Sequence, residues 1–402
     1  MPTWKRTLVI VWLAQFSSIM GFALGFPFVP FYFKDLGVTD PAELKIWVAL
    51  FATATPLSLA VFSPIWGRLG DRFGRRLMLV RAQIAAAVII SSMGLVNGPL
   101  MLVALRLLQG AFTGTVTASQ SLITSIVPPQ RSGMALGALS ASVFSGMTIG
   151  AAAGGLIAHH FGYRVPFFAA GALFTLSAIL IIRYVPEPPP DPLPPPRPAG
   201  APEPAGLLKV MFPVLALTAG MAFCRQIEVP FFPLFVDQLL GGKSSAELWT
   251  GGLMALGGTA GFLSGIAMGR WSDRIRPDRL ALAAVAGAAL LMIPHTQVQS
   301  APWLVPLRFA TYFCVGAMDP ILQVWLSRVS PPERRGEVFG WSATARSLGW
   351  MICPLPAGWL AATHGLRSLY TAGFFLYVLL LPCIVLAARV SKPSSSPPPS
   401  RG

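Results

Sequence analysis

Charge is scarce in this chain, and acidic charge is scarcer still. Of 402 residues only 11% are charged, with 15 Asp and Glu against 30 Lys and Arg. Soluble domains carry about 25% charged residues, so an ordinary globular enzyme is excluded. The 54% hydrophobic content and mean hydropathy of +0.64 point the same way. Cysteine is sparse too: Cys224, Cys314, Cys353 and Cys383 lie in apolar runs without a CxxC pair, which argues against a disulfide framework or a zinc site. No Walker-type loop is present, so ATP-driven transport by this chain alone is not expected. The four histidines, His159, His160, His295 and His364, fall near external span ends and suggest no metal site. No Ser/His/Asp arrangement emerges, and the chain is not read as an enzyme. The net charge of +15 would point to nucleic acid in a soluble protein. Here there is too little polar surface for a soluble fold with a phosphate-binding face, and nucleic acid is set aside.

What is present in abundance is long apolar sequence. A membrane span needs about 20 mostly apolar residues, and charges, prolines and glycines cut the chain into twelve such segments. Their limits are 7–33, 45–67, 77–96, 99–127, 132–158, 165–185, 207–236, 247–271, 279–297, 302–327, 336–361 and 366–388; we number them spans 1 to 12. Lys5 and Arg6 precede the first span, which is too long for a cleaved signal segment and reads as an uncleaved span. The fold class is therefore an all-α membrane protein. Residues 1–185 form an N-terminal six-helix bundle, 186–206 a Pro-rich linker, 207–390 a C-terminal bundle and 391–402 a disordered Ser/Pro tail.

The surplus of positive charge is a topology signal. With the N-terminus in the cytoplasm, 21 Lys and Arg fall on that side, five fall outside, and Arg106, Arg225, Arg308 and Arg346 lie inside spans. This asymmetry places both termini in the cytoplasm. An internal repeat supports two homologous halves. Gly67-x-x-x-Asp71-Arg72 recurs as Gly269-x-x-x-Asp273-Arg274, and Leu105-Arg106 with Gly114 recurs as Leu307-Arg308 with Gly316, all at an offset of 202. Pro128-Pro129-x-Arg131-x-Gly133 recurs as Pro331-Pro332-x-Arg334-x-Gly336 at an offset of 203, and Gly146 and Gly155 pair with Gly349 and Gly358 in that register. Secondary transporters are often built from such repeats, with a site at the midplane between them.

The stretch Gly67-Arg68-Leu69-Gly70-Asp71-Arg72-Phe73-Gly74-Arg75-Arg76 resembles the signature loop of the major facilitator superfamily. Leu105-Arg106-x-x-Gln109-Gly110 on span 4 is similar to the second motif of its proton-coupled members, and Pro27-Phe28-Val29-Pro30 resembles the end of span 1 in its drug-efflux members. Gly137, Gly146, Gly150, Gly154 and Gly155 follow the glycine spacing of the family's antiporter motif on span 5, with Ala151 where that motif has proline. The resemblance covers the whole chain. It implies the major facilitator fold of twelve helices and alternating access, with the two halves rocking about a central cavity.

Within that frame, Gly67, Asp71, Arg72, Gly74 and Arg75 form a candidate conformational latch, with Asp273 and Arg274 as a degenerate second copy. Asp71 can cap a neighbouring helix start or pair with arginines; by resemblance that neighbour is span 11. The plainer reading is a static, topology-setting loop. Charge at membrane depth is rare and faces a cavity or partner. The carboxylates that lie inside spans away from their ends are Glu228 and Asp319, and both are candidate proton or substrate carriers. Spans 1, 4 and 5 contain no carboxylate, unlike many drug-efflux members. Arg225, three residues before Glu228, suggests an intrahelical pair. Arg106 and Gln109 share one helical face, and the family assigns the matching arginine to proton coupling. Arg308, the repeat mate of Arg106, reads as able to snorkel to the outer interface. Arg346 has no mate, since Val143 stands in its place, and suits an anionic substrate or a pair with Asp319. Gly146, Gly150, Gly154 and Gly155 are helix-packing residues, and Pro354 and Pro356 should bend span 11.

The chain is accordingly expected to be a secondary transporter of the bacterial inner membrane, exporting small amphipathic compounds at the expense of a proton gradient. The expected partners are a small-molecule substrate, protons and the bilayer, with no cofactor and a monomeric state. Alternatives are a metabolite or organic-anion symporter or uniporter, a lipid or lysolipid flippase, and a non-transporting receptor or scaffold.

Overall fold

The computed structural model describes residues 3–128, 131–187, 204–242, 245–272, 275–316, 318–329 and 335–390. Helices occupy all twelve expected spans, and no strand occurs among the described residues. Most of the linker and the tail, 391–402, lie outside the described residues; the helix of span 7 begins at Pro204, inside the expected linker. Eight spans are long and apolar enough to cross a membrane by length and composition. Among the described residues, spans 4, 7, 8 and 11 do not meet that measure.

The interruptions follow the repeat. Span 1 passes from Thr3–Gly25 through a 3-10 turn at Phe26–Phe28 into Val29–Asp35. Span 7 likewise breaks between Pro204–Gln226 and Phe232–Leu240. Pro27 and Pro30 in one half, and Pro230 and Pro233 in the other, remove the amide donors a continuous helix would use. Span 4 divides into Pro99–Phe112 and Thr115–Ile126 at Gly114, whose φ of +98° needs glycine. Span 10 divides into Leu304–Gly316 and Met318–Val329. Spans 5 and 11 are the exception. Span 5 is one helix, Ser132–Phe161, whereas span 11 breaks at Cys353 between Arg335–Ile352 and Pro354–His364. Pro354 is the repeat mate of Ala151, so the missing motif proline leaves span 5 unbroken and its presence interrupts span 11.

Two faces can be told apart from contacts at the helix ends. On the face where span 1 begins, Arg6 lies over the Tyr184 ring and Arg131 over Trp4. On the opposite face, the Tyr32 hydroxyl donates to the Met93 carbonyl, and Arg367 donates to the carbonyls of Thr296 and Val298. The halves meet where span 2 packs on span 11 and span 5 on span 8. Span 5 shows how its glycines work. A Cβ on Gly146 would sit 2.8 Å from the Phe16 carbonyl oxygen, and one on Gly150 would sit 2.5 Å from that of Met20. Gly154 approaches Leu24 closely, while Gly155 turns to the Glu247 carbonyl of span 8. The first three pack within the N-terminal half; the fourth lies in the seam between halves.

Because the neighbour at Gly150 is backbone, a side chain there cannot be absorbed by a rotamer change. Gly150→Val is expected to cost about 1–3 kcal/mol through overpacking, read as a fall in melting temperature of the purified protein. Gly137→Val, where a Cβ meets open space, should leave it near wild type.

Candidate functional site

Glu228 sits in the turn that interrupts span 7, and Arg308 in the first segment of span 10; they are 5% and 1% exposed. Arg308 Nη1 donates to Glu228 Oε1 and Oε2 at 2.5 and 2.6 Å, and Nη2 donates to the Tyr312 hydroxyl at 2.9 Å. The Tyr312 and Tyr370 hydroxyls each lie 3.4 Å from the carboxylate and donate to it. The guanidinium centre lies 3.7 Å from the Phe232 ring centroid, a cation–π contact strengthened by the burial of both side chains. His295 stacks on Tyr370, and its Nδ1 lies 2.7 Å from the Leu291 carbonyl. Two sequence expectations are corrected here. Arg308 does not snorkel to an interface, and Glu228 does not pair with Arg225. Helix geometry at span 7 ends at Gln226, so the i, i+3 spacing of Arg225 and Glu228 is not helical, and the turn aims the carboxylate at span 10.

Arg225 turns instead to Asp319, Nη1 to Oδ2 at 3.1 Å, and Arg346 approaches the other oxygen of Asp319 at 3.6 Å. This triad joins spans 7, 10 and 11. Its members keep 28–37% of their side-chain surface exposed, and they line a pocket with Met221, Trp350 and Tyr377. A second pocket runs from Arg225 to Glu228 and Tyr312, so the open triad and the closed pair adjoin.

The N-terminal half holds the mate of Arg308 differently. Arg106 donates to Gln109 at 2.6 Å and lies 3.9 and 4.6 Å from the ring centroids of Phe26 and Phe51. Arg106 and Gln109, expected on one face of span 4, bond to each other there. Phe26 and Gly25 stand where the repeat places Glu228 in the other half, so aromatic faces take the place of the carboxylate.

Of the expected latch, span 2 continues as helix through Gly67, Asp71 and Arg72 to Phe73, and Gly74 turns the chain at φ +102°. Arg75 donates to the Ser121 carbonyl at 3.1 Å, and Arg72 lies over Phe73. The side chain of Asp71, and all of Asp273 and Arg274, lie outside the described residues.

Residues not singled out in the sequence close the opposite face. Lys34 of span 1 meets Asp237 of span 7 at 2.5 Å. Tyr163, between spans 5 and 6, donates to Glu247 of span 8, which His159 also approaches at 3.8 Å. Burial, and then the bonded Glu247 carboxylate, push the Tyr163 hydroxyl above its ordinary range, so it remains a donor. Each contact joins one half to the other. No local pattern could reveal them, because the partners lie in different repeats. Among the described residues no group of His, Cys, Asp or Glu is placed to hold a metal ion.

A family model described as the Major Facilitator Superfamily matches residues 11–297 and 280–402. The chain is 32% identical over 387 residues to the multidrug resistance protein MdtG of Escherichia fergusonii, covering 95% of this chain and 92% of that protein. It is 33% identical over 380 residues to MdtG of Salmonella arizonae, covering 93% and 94%. In fold it is similar to a bacterial homologue of the human lysosomal transporter Spinster, with TM-score 0.75 and 18% identity over 98% of this chain and 100% of that one. It is also similar to a D-xylose-proton symporter, with TM-score 0.71 and 16% identity over 95% and 96%.

Removing one member of the buried pair strands the other. Arg308→Ala is expected to cost about 3–5 kcal/mol, seen as a large drop in melting temperature. The double replacement Glu228→Met with Arg308→Met should recover most of it, because neither partner of the pair is then left buried without its counter-charge.

Proposed function

The chain belongs to the Major Facilitator Superfamily, and on that premise we propose that it exports small amphipathic, drug-like compounds in exchange for protons entering the cell. It is a multi-pass membrane transporter whose two halves give access to a central site from one side at a time. The relatives named as multidrug resistance proteins, similar over nearly their whole length, support the drug-like cargo. The observation that carries the coupling is the Glu228–Arg308 pair. It is the most enclosed carboxylate–guanidinium contact in the described membrane interior, Glu228 borders a small cavity that it shares with Arg225, and a proton on Glu228 would dissolve the pair.

The face where span 1 begins holds most of the Lys and Arg, so we place it in the cytoplasm. The closed face is then the outer one, shut by Lys34–Asp237 and Tyr163–Glu247. In the proposed cycle, cargo enters the pocket from the cytoplasm and the halves rock to open outward. A proton from outside protonates Glu228, dissolves the pair and favours release of the cargo outward, and the return to the inward state delivers that proton to the cytoplasm as Arg308 re-forms its bond. Asp71 would hold the cytoplasmic ends of spans 2 and 11 together while the outer face is open. A single chain suffices for these steps, and we expect a monomer.

In proteoliposomes, an imposed pH gradient should drive accumulation of amphipathic dyes, and a protonophore should collapse it. Glu228→Gln should bring gradient-driven flux to the level of empty liposomes. Flux indifferent to the gradient, or unchanged in Glu228→Gln, would contradict the coupling. Separately, joining Lys34→Cys to Asp237→Cys with a short bifunctional reagent should stop transport, and cleaving the link should restore it.

A further inference from the structure

We propose that the pocket between spans 7, 10, 11 and 12 receives a negatively charged group, so that the preferred cargo is an amphipathic monoanion. The proposal rests on the transport reading above and adds the charge of the cargo to it. Arg225 and Arg346 converge on one carboxylate, Asp319, at 3.1 and 3.6 Å. Arg225 makes a hydrogen bond there; Arg346 stands off at ion-pair distance only. The neighbouring acid, Glu228, is already held by Arg308 and two tyrosines. Among the described residues of this cluster, three guanidiniums therefore share two carboxylates, and one positive charge is left over. It falls to Arg346, the least engaged of the three.

A leftover charge at membrane depth is costly and is retained where a ligand or partner completes it. A monoanion brings this cluster to neutrality. A cation would add a second positive charge to the same low-dielectric space. Access is available, since the triad keeps about a third of its surface exposed while the Glu228–Arg308 pair keeps almost none. Met221, Trp350 and Tyr377 line the pocket, whose free volume of about 10 Å³ in this structure means that the helices must part to admit an apolar body, and Arg346 lies 6.0 Å from the Trp350 ring centroid. An aryl or alkyl carboxylate can thus meet the cation and the ring together. Arg346 also stands apart from the repeat, because Val143 occupies its place in the other half; the cation is an addition to the scaffold and not part of its symmetry. Asp319 then serves as an internal counter-ion that the cargo anion joins, while Glu228 is the carboxylate left to exchange protons. An inside-negative membrane potential favours outward movement of such a cargo.

Three dansyl probes that share a fluorophore and differ in charge test the proposal: dansylglycine (anion), dansylamide (neutral) and dansylcadaverine (cation). Binding is followed by dansyl fluorescence on the purified full-length protein in detergent. Dansylglycine should bind about tenfold more tightly than dansylamide, as a charged hydrogen bond would give, and dansylcadaverine should bind most weakly. Arg346→Gln should bring dansylglycine to the affinity of dansylamide, Arg346→Lys should keep much of the preference, and Asp319→Asn should tighten dansylglycine. A tighter cation than anion, or dansylglycine affinity unchanged in Arg346→Gln, overturns the proposal. The ranking of the probes on the wild-type protein needs no variant, so it decides the question even if Arg346→Gln folds poorly. If the ranking holds while gradient-driven flux is absent, the transport reading fails and the anion preference stands. If flux is present and the ranking is inverted, transport stands and the anion preference fails.

Discussion

A charge buried among apolar helices has to find its opposite, and in this protein the bond between Glu228 and Arg308 meets that demand most completely. The two side chains come from spans 7 and 10, are almost wholly enclosed, and are ringed by Tyr312, Tyr370 and Phe232. The pair fixes how span 7 can break. The turn at residues 227–231 is tolerable because its carboxylate is anchored across the bundle. The same turn leaves Arg225 free of its sequence neighbour and directs it to Asp319, which opens the adjoining pocket.

The two halves show one scaffold furnished in two ways. Arginines stand at matching places on spans 4 and 10, yet Arg106 rests on phenylalanine rings and a glutamine while Arg308 is locked by a carboxylate. Glycines match as well. Gly146 packs on span 1 as Gly349 packs on span 7, and Gly155 meets span 8 as Gly358 meets span 2. Symmetric packing lets the halves rock on equivalent seams; asymmetric polar furnishing concentrates titratable groups in the C-terminal half.

Most of the fold was legible in the sequence, because a bilayer span imposes length and apolarity on contiguous residues. The breaks in spans 4 and 10 were not expected from the sequence, where each reads as one span, while the Pro354–Ala151 mismatch accounts for an interrupted span 11 beside an unbroken span 5. The Arg106–Gln109 contact followed from helical spacing because span 4 is helical there. The Arg225–Glu228 expectation failed for the converse reason, since the helix stops between them. The pairing of Arg308 with Glu228, and the outer contacts of Lys34 with Asp237 and Tyr163 with Glu247, depend on which spans become neighbours in space. Spacing along one helix carries no information about that.

The central claim is that the Glu228–Arg308 pair switches the transporter between its two open sides. It is tested most directly by the distance between spin labels on the outer ends of the halves, at Thr39→Cys and Gln299→Cys, both exposed positions. A Cys383→Ser background removes the exposed native thiol. Pulsed electron–electron resonance should give a shorter main distance in the otherwise native protein at high pH, and Glu228→Gln, which mimics the protonated acid, should shift the population to a longer one. An unchanged distance distribution in Glu228→Gln would show that the pair is structural only and does not govern which side is open.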